Sequence, residues 1–162
     1  MYKKNVLALG ISGLIVIFDQ ITKMLIRYFM QVDQTVSVIG NLVQLHYILN
    51  PGMAFGLQVG NRFFYIFFTC LASLIIFIFM FKLDEDQKWS RLALSLILGG
   101  ALGNLIDRIG MGKVVDFIKI SIWPIFNVAD IMVTIGMVIL ILVVLLDNKK
   151  QYEMLDNEFE LN

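Results

Sequence analysis

The sequence predicts an all-α integral membrane protein of four transmembrane helices, with a small surface β-sheet in the first outer loop. Three observations carry that expectation. Four apolar stretches, at about 6–29, 63–81, 92–109 and 125–146, each have about the 20 residues needed to cross a hydrocarbon core of roughly 30 Å. The 162-residue chain is 59% hydrophobic and 16% charged, whereas soluble domains average about 45–50% and about 25%; its mean hydropathy is +0.80. The ionisable residues inside the spans gather toward one end of them, although each costs about 2.5–3.5 kcal/mol at membrane depth even on lenient scales.

The first stretch opens after Lys3-Lys4 and imitates a secretory signal peptide. Its apolar run continues through Met24-Leu25-Ile26 to Phe29 with no small-x-small cleavage pattern, so it is expected to remain as a span. In the connection from Gln31 to Arg62, Val43, Leu45, Tyr47 and Leu49 alternate with Gln44, His46, Ile48 and Asn50. That is mostly the period-2 pattern of a strand with one face covered. Gly40-Asn41 and Val59-Gly60-Asn61 are turn signals, giving an outer β region at about 34–62. The second connection, Lys82 to Arg91, is short and charged, and the third runs from Gly110 to Pro124. A polar tail at about 148–162, acidic over Glu153 to Glu160, is expected to be mobile. No repeat is visible, and residues 1–162 read as one membrane-embedded domain.

Lys3, Lys4, Lys82, Lys88, Arg91, Lys149 and Lys150 fall on one side together with both termini; Arg27, Arg62, Arg108, Lys113 and Lys119 fall on the other. Charges flanking the first and last spans favour cytoplasmic termini. Asp19 lies roughly 20 Å along its helix from Val6 at about 1.5 Å per residue, past the midplane. Asp107 closes the third span and Asp130 opens the fourth, so three helices bring carboxylates to one level near the outer face.

The formal net charge of zero gives no argument for nucleic-acid binding. One cysteine, Cys70, and one histidine, His46, leave no intramolecular disulfide and no Cys/His metal cluster. Both read most simply as structural, and no Ser/His/Asp or Cys/His set competes with the carboxylates. Asp19 and Lys23 form an i,i+4 pair on one helix face, either a packing ion pair or part of a site. Gly99 and Gly103 read as small residues that let helices approach closely. Asn104, Asp107 and Arg108 put three polar groups within two turns, each needing a partner; Arg108 could anchor a carboxylate or a lipid phosphate. Asp116 and Asp130 are lone acids among apolar neighbours, with Asn127 placed to cap the fourth span. Two carboxylates in a partly dry site do not both ionise easily, so one stays protonated as acid while the other serves as base. That is aspartyl-protease chemistry.

At these residues the chain resembles the lipoprotein signal peptidases, the type II signal peptidases of bacteria, over nearly its whole length. The segments that carry the resemblance are Asp19-Gln20-Ile21-Thr22-Lys23, Asn50-Pro51-Gly52-Met53-Ala54-Phe55-Gly56, Gly100 through Asn104 to Leu105-Ile106-Asp107-Arg108, Val114-Val115-Asp116-Phe117, and Phe126-Asn127-Val128-Ala129-Asp130. The resemblance implies an aspartyl endopeptidase that removes signal peptides from diacylglyceryl-modified prolipoproteins, cleaving before the lipidated cysteine. It places the catalytic pair on Asp116 and Asp130. Substrate-binding and supporting positions fall on Asp19, Lys23, Asn50, Gly52, Ala54, Phe55, Gly103, Asn104, Asp107, Arg108, Asn127 and Ala129. It also implies an outward surface sheet, a loop helix able to cover the site, no metal or organic cofactor, and a monomer in a bacterial cytoplasmic membrane in contact with membrane lipids. Met53 is bulky where the family usually has a small residue, a departure that touches the lipid pocket and not the catalytic assignment. A proton or cation relay is the rival reading, but a relay would spread its carboxylates across membrane depth. A non-catalytic lipid-binding scaffold is the other, and it would tolerate loss of either aspartate.

Overall fold

The computed structural model describes residues 2–54, 57–58 and 60–160, with side chains for 4–52 and 60–147. Four helices, α1 (Tyr2–Phe29), α2 (Arg62–Lys82), α3 (Lys88–Met111) and α4 (Val128–Glu160), each contain a span long and apolar enough to cross a membrane. Between them run β1 (Thr35–Ile39), β2 (Val43–Asn50), β3 (Met53–Ala54), β4 (Leu57–Gln58) and β5 (Val114–Ile120).

The order of the helices in space follows from where small residues sit. α3 packs against each of the other three helices and is half-buried over its span, whereas the other spans are largely exposed. A Cβ on Gly99 would lie 2.9 Å from the Ser12 carbonyl oxygen and the Ile15 Cβ of α1. One on Gly100 would collide with the Ala129 carbonyl of α4, and one on Gly136 would stand 2.7 Å from the Ala93 carbonyl. These glycines let α1 and α4 approach α3 at backbone distance, the packing available where lipid removes any hydrophobic advantage of helix contact. The outward faces carry Leu7, Leu14, Phe18, Phe67, Phe79 and Leu145, all exposed, as suits side chains solvated by acyl chains. A small cluster of Ala8, Met80, Leu94 and Leu98 fills the end of the bundle that carries both termini.

At the other end the sheet runs β1-β2-β5, antiparallel throughout. Its expected source was the first connection alone. The third strand instead comes from the third connection, because Val114, Val115 and Phe117 are all buried and require cover on both faces. Tyr47 of β2, with Leu45 and Leu49 packed against the same cluster, joins Val115 and Phe117 of β5, Ile26 of α1, Met30 just beyond its end, and Val128 of α4. The alternation in β2 thus seats the sheet on the ends of two helices.

Two boundaries differ from the sequence reading. The fourth helix starts at Val128 and not near 125, because Phe126 turns back to pair with Ile118: the Phe117 and Ile118 N–H groups donate to its carbonyl at 3.0 and 2.8 Å. The span expected to end near 146 lies within α4, which continues to Glu160; Lys149, Lys150, Gln151, Glu153, Met154 and Leu155 are good helix formers with no glycine or proline among them.

Candidate active site

The polar residues meet where α1, α3 and α4 reach the sheet. Asp19 and Lys23, one turn apart on α1, are both completely buried, with Lys23 Nζ 2.8 Å from Asp19 Oδ2. The same ammonium lies 3.0 Å from Asp107 Oδ2 on α3 and donates to Asn104 Oδ1 at 2.8 Å. Its three donors are therefore matched by three acceptors, the condition under which a buried cation is tolerated. Asp19 Oδ1 accepts the Ala129 N–H at 2.9 Å, a carboxylate placed at the positive end of α4. Asp107 Oδ2 accepts the Val115 N–H at 3.1 Å, which ties α3 to β5 next to Asp116. Gly103 has no side chain because Asp19 takes the space: a Cβ there would stand 2.6 Å from Asp19 Oδ2.

Asn127 and Asp130 build the start of α4. The Asp130 N–H donates to Asn127 Oδ1 at 2.9 Å, and the Asn127 N–H donates back to Asp130 Oδ2 at 3.1 Å. This is a reciprocal capping box with aspartate at the third helical position, so the Asp130 carboxylate is fixed by the local geometry that begins the helix. Asn104 Nδ2 donates to its other oxygen at 2.8 Å. The Asn127 amide then reaches across to Asp116 Oδ1 at 2.7 Å, Asn104 Oδ1 at 3.0 Å and the Val115 carbonyl at 3.3 Å. Asn50 Nδ2 takes Asp116 Oδ2 at 2.8 Å, while its Oδ1 accepts the Gly52 N–H at 2.9 Å. Asp116 and Asp130 are thus held through shared amides, and the return of Phe126 onto β5 is what brings them to one place.

Asp116 is only 2% exposed. Burial, reinforced by the Asp130 charge, pushes its carboxyl up to about 7 against the opposing pull of the Asn50 and Asn127 amides. A carboxyl that holds its proton near neutrality beside a second carboxylate has the properties of an acid–base pair. A cavity of about 460 Å³ lies alongside, walled by Ile120, Trp123, Phe126, Ile131 and Ile135 with Asp130 in its lining.

Of the positions singled out in the sequence, Asp19, Lys23, Asn50, Gly52, Gly103, Asn104, Asp107, Asp116, Asn127, Ala129 and Asp130 belong to this connected set. Gly52 is held at φ +109°, where a Cβ would strike the Tyr65 ring, so the close turn after Asn50 requires glycine. Arg108 stands apart from the hydrogen-bonded set among the described residues. The cation on Asp107 is Lys23, whereas the Arg108 guanidinium lies 5.7 Å over the Tyr65 ring centroid, with Asp130, Asp116 and Asp107 as its charged surroundings. The backbone of Ala54 pairs with Leu57; its side chain, that of Met53, and the whole of Phe55 lie outside the described residues. Two contributors were not selected from the sequence. Gln20 Nε2 donates to the Gly103 carbonyl at 3.0 Å and to Asp107 Oδ1 at 3.1 Å; an amide at membrane depth was signal enough to suggest it. Tyr65, at the start of an aromatic-rich span, offered none.

Four spanning helices, with Asp116 buried and Asp130 half-buried beside it under a sheet, define a polytopic membrane protein with a pair of carboxylates at one end of its bundle. The model of the signal peptidase (SPase) II family matches residues 11–146. A lipoprotein signal peptidase of Moorella thermoacetica is 43% identical over 127 residues, 78% of this chain and 85% of that one. One of Staphylococcus aureus is 37% identical over 161 residues, 94% of this chain and 99% of that one. Among solved structures, a bacterial membrane enzyme determined by the in meso method superposes with a TM-score of 0.80 at 34% identity, covering 88% of this chain and 90% of that one. The chain belongs to the signal peptidase II family and is a membrane-embedded peptidase.

Proposed function

We propose that this peptidase removes signal peptides from diacylglyceryl-modified prolipoproteins, cutting before the lipidated cysteine, with Asp116 and Asp130 as the catalytic pair. The observation that carries the proposal is the joining of the two carboxylates through the Asn127 amide and backbone, with burial pushing the Asp116 carboxyl up to about 7. Asp130 accepts a proton from a water as that water attacks the scissile carbonyl. Asp116 gives its proton to the carbonyl oxygen; as the tetrahedral diol collapses, Asp130 passes its proton to the leaving amine nitrogen and Asp116 takes one back from a diol hydroxyl, which leaves a carboxyl product and restores both residues. Lys23, Asp19, Asp107, Gln20 and Asn104 hold the pair from behind. The apolar cavity beside Asp130 suits acyl chains or apolar residues flanking the cleaved bond, and a site level with the membrane surface suits a substrate whose signal helix stays in the bilayer. The protein works as a monomer in the bacterial cytoplasmic membrane, with its termini inside and the site near the outer face.

The test is cleavage of a diacylated prolipoprotein by purified protein in detergent. Asp116→Asn and Asp130→Asn are each expected to lower turnover by at least about 100-fold while thermal unfolding shows a folded protein. Near-normal turnover by either folded variant removes that residue from the chemistry and favours a scaffold reading.

A further inference from the structure

The end of the bundle opposite the aspartates holds a second polar feature that the peptidase chemistry does not use. Arg91, near the start of α3, is 4% exposed. Its Nε donates to Asn5 Oδ1 at 3.1 Å, and Nη2 to the carbonyls of Leu83 and Asp84 at 2.9 and 3.0 Å. Nη1 is buried and has no hydrogen-bond partner among the described residues. A buried guanidinium N–H without an acceptor is costly, and it points to an acceptor that arrives from outside the chain.

Arg91 lines a cavity of about 320 Å³ between α1 and α3 whose other charged walls are Lys4 and Lys88, and whose depth is formed by Leu7, Ile11 and Leu92. Cations stand at the level where a span begins, and apolar side chains continue into the membrane. The N-terminus of α3 adds to the field: Gln87 makes no side-chain cap bond and no acid occupies the first turn. Asp84, Glu85 and Asp86 lie on the preceding turn but do not line the cavity. Glu85 holds Lys4 through its carbonyl at 2.7 Å and its carboxylate at 3.5 Å, with both side chains about half exposed or more, a pairing weak enough to exchange.

We infer that this cavity binds the phosphodiester headgroup of an anionic phospholipid, with Arg91 Nη1, Lys4 and Lys88 facing the phosphate and an acyl chain lying along Leu7, Ile11 and Leu92. Lys4 and Lys88 are long, exposed side chains that can rotate to admit the headgroup to Nη1. The alkyl floor selects a lipid over a free anion, and the cationic mouth selects an anionic lipid over a zwitterionic one. Arg91 also clips α1 to the turn between α2 and α3, so the lysines are the residues to vary.

The experiment compares purified protein in neutral detergent with phosphatidylglycerol, with phosphatidylcholine of the same chains, and with inorganic phosphate, reading thermal unfolding and lipid retained in native mass spectrometry. Phosphatidylglycerol is expected to raise the unfolding temperature and to be retained; the other two are not. The double variant Lys4→Gln/Lys88→Gln is expected to weaken phosphatidylglycerol retention about fivefold for each lysine lost, whereas Lys82→Gln, at the same end but outside the cavity, leaves it unchanged. Equal stabilisation by phosphatidylcholine or by inorganic phosphate overturns the inference. So does undiminished retention in the double variant, or an equal loss in Lys82→Gln, which would reduce the effect to general surface charge.

Discussion

A single buried ammonium governs much of the residue-scale behaviour. Lys23 satisfies Asp19, Asp107 and Asn104 at once, so removing it leaves two carboxylates without their counter-charge in a dry place. Lys23→Met is therefore expected to cost about 3–5 kcal/mol, read as a lowered unfolding temperature in detergent, and to exceed the effect of replacing exposed Lys113. Asp116 gives a second expectation, in pH. Its carboxyl titrates near 3.8 when unperturbed and near 7 in the folded protein. Across that window the native state holds more protons than the unfolded chain, so this group's contribution is fully present below about pH 4 and is lost as pH rises through about 7. Asp116→Asn should flatten that part of the stability profile. In the wild type, if Asp116 supplies the proton, kcat/KM should fall above about pH 7. A profile unchanged by the substitution would assign the proton elsewhere.

Among the elements, the approach of α1 and α4 to α3 is decided at a few glycines. Gly103→Ala would drive a Cβ to 2.6 Å from Asp19 Oδ2 and 3.4 Å from the Ala129 Cβ, and is expected to destabilise by about 1–3 kcal/mol with loss of cleavage. Gly110, on the same helix with nothing within 4 Å of its added Cβ, is the control: Gly110→Ala should leave both unfolding temperature and turnover near wild type. The start of α4 shows why Asp130 was easier to place than Asp116. An asparagine three residues before an aspartate at the head of an apolar run is a local capping signal, legible without a fold. Asp116 stands in a segment read only as a connection. Its strand exists because β2 offers an edge and α1 and α4 offer cover, and β2 and α1 both lie far from it in sequence.

For the whole molecule, four spans put both termini on one side, and the proposal that this side is the cytoplasm rests on the Lys/Arg distribution. With Cys70 replaced, a cysteine introduced at Tyr152 is expected to resist a membrane-impermeant thiol reagent in intact cells, while one at Asn41 reacts. The reverse pattern would invert the protein and move the aspartates to the inner face.

By itself the sequence determined the class, because hydropathy over about 20 residues is a local property that the bilayer imposes on each helix separately. It also singled out most of the polar residues that the structure connects, some because ionisable groups at membrane depth are costly and others through the resemblance carried by their motifs. Only the tertiary structure decided the partners. Asp107 lies next to Arg108 in the chain yet pairs with Lys23, because the inward face of α3 meets α1, while Arg108 turns toward Tyr65. Gln20 and Tyr65 entered the site, and β5 joined a sheet begun two helices earlier. Pairing across a bundle depends on which faces meet and at what depth, and those are set by packing between helices, where adjacency in sequence carries no information.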